Sequence, residues 1–231
     1  MQLLKNSTLR LCAQIGWLLF FYFICRALFV IKYGVALNII KSNEILEVFI
    51  GGLRFDLSAI FATNLLFIFL SLIPFKFTDS KVYQIGLKFI FIIINGIFIL
   101  MNLIDIAYFS FVQKRMQFDT LRFVSGGKGD DFFNLLPGFL LEYWYLGLSY
   151  FIIMISLVWG YNKSRNIKTV SSSSKFYLYR SVLLVFFVGI SILFIRGGLQ
   201  LKPLNIIHAS QMTAVKNIPA ILNSPFSVIR T

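Results

Sequence analysis

The chain has 231 residues, of which 58% are hydrophobic and 13% charged, with 27 Phe and a formal net charge of +13. Soluble domains carry about 25% charged residues, so this composition excludes an ordinary one and names lipid as the solvent. The positive charge does not mark a nucleic-acid binder, because the basic residues lie between and at the ends of apolar stretches, where they meet lipid phosphates, and no basic helix or aromatic-interleaved module is present.

In chain order the apolar stretches are Leu11–Ile31, Leu57–Phe75, Leu87–Val112, Phe139–Tyr161 and Ser181–Ile195. At about 1.5 Å of rise per helical residue, each crosses most or all of a hydrocarbon core about 30 Å thick. Backbone amides in lipid must be satisfied within their own segment, so the spans are predicted to be helices. Barrel strands would alternate apolar and polar residues, whereas Phe89–Leu103 reads FIFIIINGIFILMNL. The predicted class is an all-α integral membrane protein, a five-helix transmembrane bundle.

The first stretch reads as a signal anchor, since it is too long for a cleaved signal peptide and no small-x-small site follows it. It holds both cysteines, Cys12 and Cys25, too far apart on one helix for a disulfide. It also holds Arg26 near its far end. Snorkelling to the headgroups is the first reading of Arg26; pairing with an acid inside the bundle is the alternative. Before the second span comes Gly51-Gly52-Leu53-Arg54-Phe55-Asp56-Leu57-Ser58. Asp56 is expected to cap that helix at its N-terminus, with Arg54 neutralising it or reaching a phosphate. In the third span Asn102, Asp105 and Tyr108 share a face at i, i+3 spacing. Asp105 lies about two turns inside the boundary, which Lys114 and Arg115 mark at headgroup level. The Gly126-Gly127-Lys128-Gly129 run lacks P-loop spacing and reads as a flexible loop, and Ser171–Ser174 as a solvated linker.

After the fifth span, Arg196-Gly197-Gly198-Leu199-Gln200-Leu201-Lys202-Pro203-Leu204-Asn205 ends the helix at its glycines. Asn205 is expected to cap a short, weakly amphipathic segment running to about Leu222, and Asn223-Ser224-Pro225-Phe226 reads as a turn or linker. His208 is the single histidine and reads as a surface residue. No metal-ligand cluster, GxSxG, P-loop or HExxH motif is present. No internal repeat is visible either.

Charge sets the orientation. With the N-terminus inside, the inside segments 1–10, 76–88 and 162–180 hold ten of the 22 basic residues and one of the nine acids, Asp79. The remaining polar length is about twice as great, so basic density favours N-terminus inside and C-terminus outside. The segment 162–180, with five basic residues and no acid, decides it. Arg54, Lys114, Arg115, Arg196 and Lys202 then converge on one membrane level. With Asp105 and Tyr108 to orient them, they form a candidate site for anionic phospholipid headgroups, Asp105 pairing with Arg54 or Arg196. Plain anchoring of helix ends among lipid phosphates is the competing account.

GLRFDLSAI at 52–60, NLIDIAYFSFVQKR at 102–115, RGGLQLKPLN at 196–205 and NSPFSVIRT at 223–231 together resemble the membrane half of a lipoteichoic-acid-synthase-like family. These are phosphoglycerol transferases with a sulfatase or alkaline-phosphatase-like domain, in the form seen in Bacteroidetes-type bacteria. The resemblance covers essentially the whole chain. It implies five N-terminal helices in the bacterial cytoplasmic membrane, then an extracytoplasmic linker and a catalytic domain with a divalent metal, Mn or Mg, acidic and His ligands and a Thr nucleophile. None of those catalytic residues maps onto this sequence. The resemblance therefore implies a five-span anchoring domain over 1–204 and a juxtamembrane segment over 205–231 leading to a missing catalytic domain. No catalytic residue, metal ligand or cofactor is expected in the chain itself. The alternatives are a free-standing membrane scaffold and, less favoured, a transporter component whose internal polar candidates are Asn64, Asn95 and Asn102.

Overall fold

The computed structural model describes residues 2–37, 39, 41–120, 138, 141–165, 174–200 and 202–230. The Gly126–Gly129 run, most of the Ser171–Ser174 run, the middle of the basic segment 162–180 and the first residues of the fourth predicted span lie outside them. The long helices are α1 (Gln2–Tyr33), α2 (Ser42–Leu72), α3 (Lys81–Val112), α4 (Trp144–Arg165) and α5 (Ser174–Arg196). Two short ones follow, α6 (Ile218–Ile221) and α7 (Ser224–Arg230). Each of the five long helices contains a stretch long and apolar enough to cross a membrane, so the described residues have the all-helical architecture of a multi-pass membrane protein.

Four of the long helices start earlier than hydropathy predicts: α1 at Gln2, α2 at Ser42, α3 at Lys81 and α5 at Ser174. α3 begins at Lys81 because the Ser80 side chain accepts from Tyr83 N at 3.2 Å, closing the helix N-terminus. α2 begins at Ser42 rather than Leu57. Its first turns carry Glu44, Glu47, Arg54 and Asp56, which lower the hydropathy, yet Val48 and Phe55 are fully buried on one face. Periodicity of burial, not mean apolarity, defines that part of the helix.

α1, α2 and α3 form the packed centre, with 39%, 56% and 44% of their spans buried against 28% for α4 and 17% for α5. The large exposed side chains on α4 and α5, such as Phe151, Ile155, Val185 and Phe186, are what lipid-facing surfaces require. Association in lipid gains little from the hydrophobic effect and rests on packing and interhelical hydrogen bonds. The packing is aromatic: Phe29 and Tyr33 of α1 meet Phe109 of α3 at 4.9 and 4.8 Å, Phe67 meets Phe91 at 4.9 Å, and Phe61 stacks on Phe194 at 4.8 Å. The hydrogen bonds include a reciprocal amide pair in mid-span, Asn64 Nδ2 to Asn95 Oδ1 at 2.9 Å and Asn95 Nδ2 to Asn64 Oδ1 at 2.8 Å.

The two ends of the bundle differ. At one end Arg180 donates to Thr78 Oγ1 and Ser71 O at 2.8 and 3.0 Å, and Arg10 to Gln84 Oε1 at 3.1 Å, closing the α2–α3 connection. At the other, α5 stops in a Schellman turn: Gly198 N donates to Leu193 O and Gly197 N to Phe194 O, with Gly197 at φ +84°. α1, α2 and α3 run on beyond the level of that turn, and the C-terminal residues fold back into the space they leave.

Candidate functional site

That space is a buried polar centre. Gly52, Phe55 and Asp56 on α2, Arg26 on α1, and Asn102 and Asp105 on α3 all face it. Arg26 is 4% exposed. Its Nη2 donates to Asp56 Oδ1 at 2.6 Å and to Gly52 O at 3.1 Å, and its Nη1 donates to the carbonyls of Ala220 and Ile221. Residue 52 must be glycine for this approach, since a Cβ there would lie 2.2 Å from Arg26 Cζ. Snorkelling is thus replaced by the alternative reading, a charge turned inward onto an acid. The cap expected at Asp56 is corrected too: the residue lies well inside α2, where the amides are already hydrogen-bonded, and its carboxylate serves Arg26 and, at 2.8 Å, Asn223 Nδ2.

A second pair sits beside the first. Asp105 is fully buried; its Oδ2 accepts from Arg115 Nη1 at 2.7 Å and Ser224 Oγ at 2.8 Å, and its Oδ1 accepts from Met116 N at 2.8 Å. Arg115 also donates through Nε to Pro219 O at 2.6 Å, and its guanidinium lies 3.8 Å over the Phe29 ring. Burial pulls the Arg115 pKa below its ordinary value, and the Asp105 charge pushes it back. Two Arg–Asp pairs make a neutral set. A desolvated ion pair is tolerable only when its remaining donors and lone pairs are also satisfied, and here main-chain carbonyls of 219–221 and side chains of 223 and 224 do that.

The C-terminal segment therefore completes the centre. Asn223 caps α7 through Oδ1, accepting from Phe226 N at 2.8 Å; Ser224 N donates to Asn102 Oδ1 at 3.1 Å; Phe226 packs edge-on against Phe55 at 4.8 Å. Residues 220–227 are all buried, so the turn or linker expected at Asn223–Phe226 is a helix start locked into the bundle. Tyr22, Cys25, Arg26, Asn102, Arg115, Leu222 and Asn223 line a cavity of about 10 Å³, the room of one water.

The predicted headgroup residues fall into separate groups. Asp105 pairs with Arg115, ten residues on, not with Arg54 or Arg196. Arg115 is 8% exposed, turned into the protein rather than out toward lipid. Arg54 instead meets the end of α5, donating through Nε to Gly197 O at 2.8 Å and through Nη2 to Gln200 Oε1. Arg196 Nε donates to Gln200 O at 3.2 Å, so Gln200 links the two arginines. Arg230 and Ser58 both donate to Ile195 O, at 2.7 and 2.9 Å. These donors satisfy carbonyls that a helix end leaves without partners. Lys114 and Lys202 are exposed, and Tyr108 shares a hydrogen bond of 3.3 Å with Thr120. Asn205 caps the 3-10 turn Ile206–Gln211 as expected, while His208 Nδ1 accepts from Asn205 N at 3.0 Å to complete a capping box.

Asn223 and Ser224 were not singled out by sequence reasoning. The signal was present: Asn followed by Ser-Pro is a helix-start pattern, Pro being preorganised for the first turn. Among the described residues no three His, Cys, Asp or Glu side chains group as metal ligands. No family model, curated protein or solved structure matches this chain.

Proposed function

We propose that this chain is the membrane-anchoring domain of a lipoteichoic-acid-synthase-like phosphoglycerol transferase, seated in a bacterial cytoplasmic membrane with its N-terminus inside and its C-terminal segment outside. The resemblance of the four quoted motifs is the ground for the family. The observation that carries the anchoring role is the seating of residues 219–224 on two buried Arg–Asp pairs. A segment held at its main-chain carbonyls and at its helix cap keeps one position relative to the spans. That is the mechanical requirement for holding an extracytoplasmic domain at a set height over lipid headgroups. The metal-dependent chemistry belongs, on this reading, to that domain, which works on lipid headgroups or envelope glycopolymers, and anionic phospholipids contact the exposed Arg196, Lys202 and Lys114.

The transporter reading has less support. Asn64 and Asn95 spend their amides on each other, and Asn102 accepts from the C-terminal segment. The test is the coding sequence downstream of codon 231. A continuing frame that encodes a metal-binding, phosphatase-like domain is expected; unrelated sequence would favour a free-standing scaffold. Purified 1–231 with Mn²⁺ or Mg²⁺ is expected to release no product from a chromophoric phosphate ester, and metal-dependent turnover above buffer would reveal a site within the chain.

A further inference from the structure

We propose that the connection after α5, from Leu199 through Lys216, is an interfacial collar that binds anionic phospholipid headgroups at the Arg26 end of the bundle. The inference rests on the membrane-spanning architecture and not on the enzymatic reading.

Depth is the first argument. Along α2, Ser71 is tied to Arg180 at one end of the bundle. Gly51 lies twenty residues away, roughly 30 Å by helical rise, which is the thickness of a hydrocarbon core. Gly51 is where the connection docks: a Cβ built there would lie 3.5 Å from Met212 Sδ and 3.2 Å from Ile221 Cδ1. Leu204, buried, pins the same connection to the end of α5 through its N–H, which donates to Arg196 O at 2.8 Å. Both attachments sit where acyl chains give way to headgroups.

The second argument is what the connection exposes at that depth. Leu204 and Ala209 turn into the protein, but Leu199, Ile207 and Val215 are 92%, 70% and 76% exposed. Lys202 and Lys216, also exposed, lie among them. From Arg196 to Thr231 the sequence has Arg196, Lys202, Lys216 and Arg230 and no Asp or Glu. Apolar side chains interleaved with lysines suit an anionic lipid interface, the apolar groups entering the acyl boundary and the ammonium groups meeting the phosphates, while the Glu47 carboxylate of α2 lies against the connection, accepting from Thr213 Oγ1 at 3.4 Å. A soluble acidic partner would satisfy the lysines, but it would have to reach apolar side chains placed at lipid depth.

The test uses the whole chain carrying Cys12→Ser, with an environment-sensitive fluorophore on Ile207→Cys or Val215→Cys. Lys41→Cys, at the far tip of α2, is the water-exposed control. Each protein is reconstituted in phosphatidylcholine vesicles, with or without phosphatidylglycerol. Labels at 207 and 215 are expected to be blue-shifted, several-fold more quenched than the control by lipids brominated near the headgroup, and shielded from acrylamide. Phosphatidylglycerol should raise the lipid quenching, and combined Lys202→Gln and Lys216→Gln should remove that rise while leaving quenching in phosphatidylcholine intact. Labels as open to acrylamide as the control in both vesicles would overturn the collar. Lipid quenching indifferent to phosphatidylglycerol would overturn its headgroup preference. Neither result depends on any transferase, so failure here is separable from failure of the anchoring-domain proposal.

Discussion

Replacing Arg26 with Met strips Asp56 of its guanidinium while leaving the carboxylate buried, and an uncompensated buried charge costs about 3 kcal/mol or more. Arg26→Met is therefore expected to lower the thermal unfolding midpoint in detergent sharply, and Arg26→Met with Asp56→Asn to recover part of the loss. Equal midpoints for wild type and Arg26→Met would remove the pair from the account of stability. Asn223→Ala deletes both the α7 cap and the bond to Asp56, a loss of about 1–2 kcal/mol. Its expected signature is local, faster hydrogen exchange over residues 220–227 with the spans unchanged; uniform exchange along the chain would argue against a discrete seat. At this scale the sequence was partly legible. Asp105, too deep to stand alone, calls for a partner, and Arg26 has an inward-pairing alternative. Which cation meets which acid depends on helix rotation and on the C-terminal fold-back, neither of which a linear spacing contains.

Three helices carry tests of their own. In α2 and α3 the Asn64–Asn95 pair closes each amide on the other. Asn64→Leu alone leaves a buried amide short of a partner, whereas Asn64→Leu with Asn95→Leu removes both. The double variant is expected to be more stable than either single one, by roughly 1 kcal/mol; additive losses in the unfolding midpoint would show that the pair is not coupled. At the end of α5, Gly197 sits at φ +84° with a Cβ position 2.5 Å from Leu204 Cβ. Gly197→Ala combines backbone strain with a clash and should cost about 1–3 kcal/mol, read as a lower midpoint and as exchange of the Leu204 amide. Wild-type exchange at Leu204 would mean the turn tolerates a side chain. The glycine stop was readable in the sequence because only glycine adopts this conformation cheaply. The early start of α2 was not, because hydropathy averages over a face whose buried positions tertiary packing selects.

For the whole molecule, charge predicts that five spans place the termini on opposite sides, with the even-numbered connections on the basic, inner side. A reporter active only outside the cytoplasm should be silent when fused after residue 170 and active after residue 231. Activity at 170 or silence at 231 would reverse or break the topology. The measurement bears directly on the anchoring proposal, which needs residues 219–224 on the extracytoplasmic side.

The sequence by itself determined the solvent, the helical class and the existence of the five spans. Apolar runs of that length must lie in lipid, and backbone groups in lipid must pair within their own helix. It also carried local punctuation, Asn205 as a cap and Gly197 as a stop, because these are set by bonds a few residues long. Tertiary structure alone decided that Asp56 is an ion-pair partner rather than a cap, that Arg115 lies inside and Arg54 on the end of α5, and that the last residues are bundle core rather than linker. Those outcomes turn on contacts such as Arg26 with Ile221 and Asp105 with Ser224, separated by more than a hundred residues. In a medium that rewards each satisfied charge and carbonyl, the chain takes its partners from whatever segment the fold brings near, and sequence distance places no limit on which one that is.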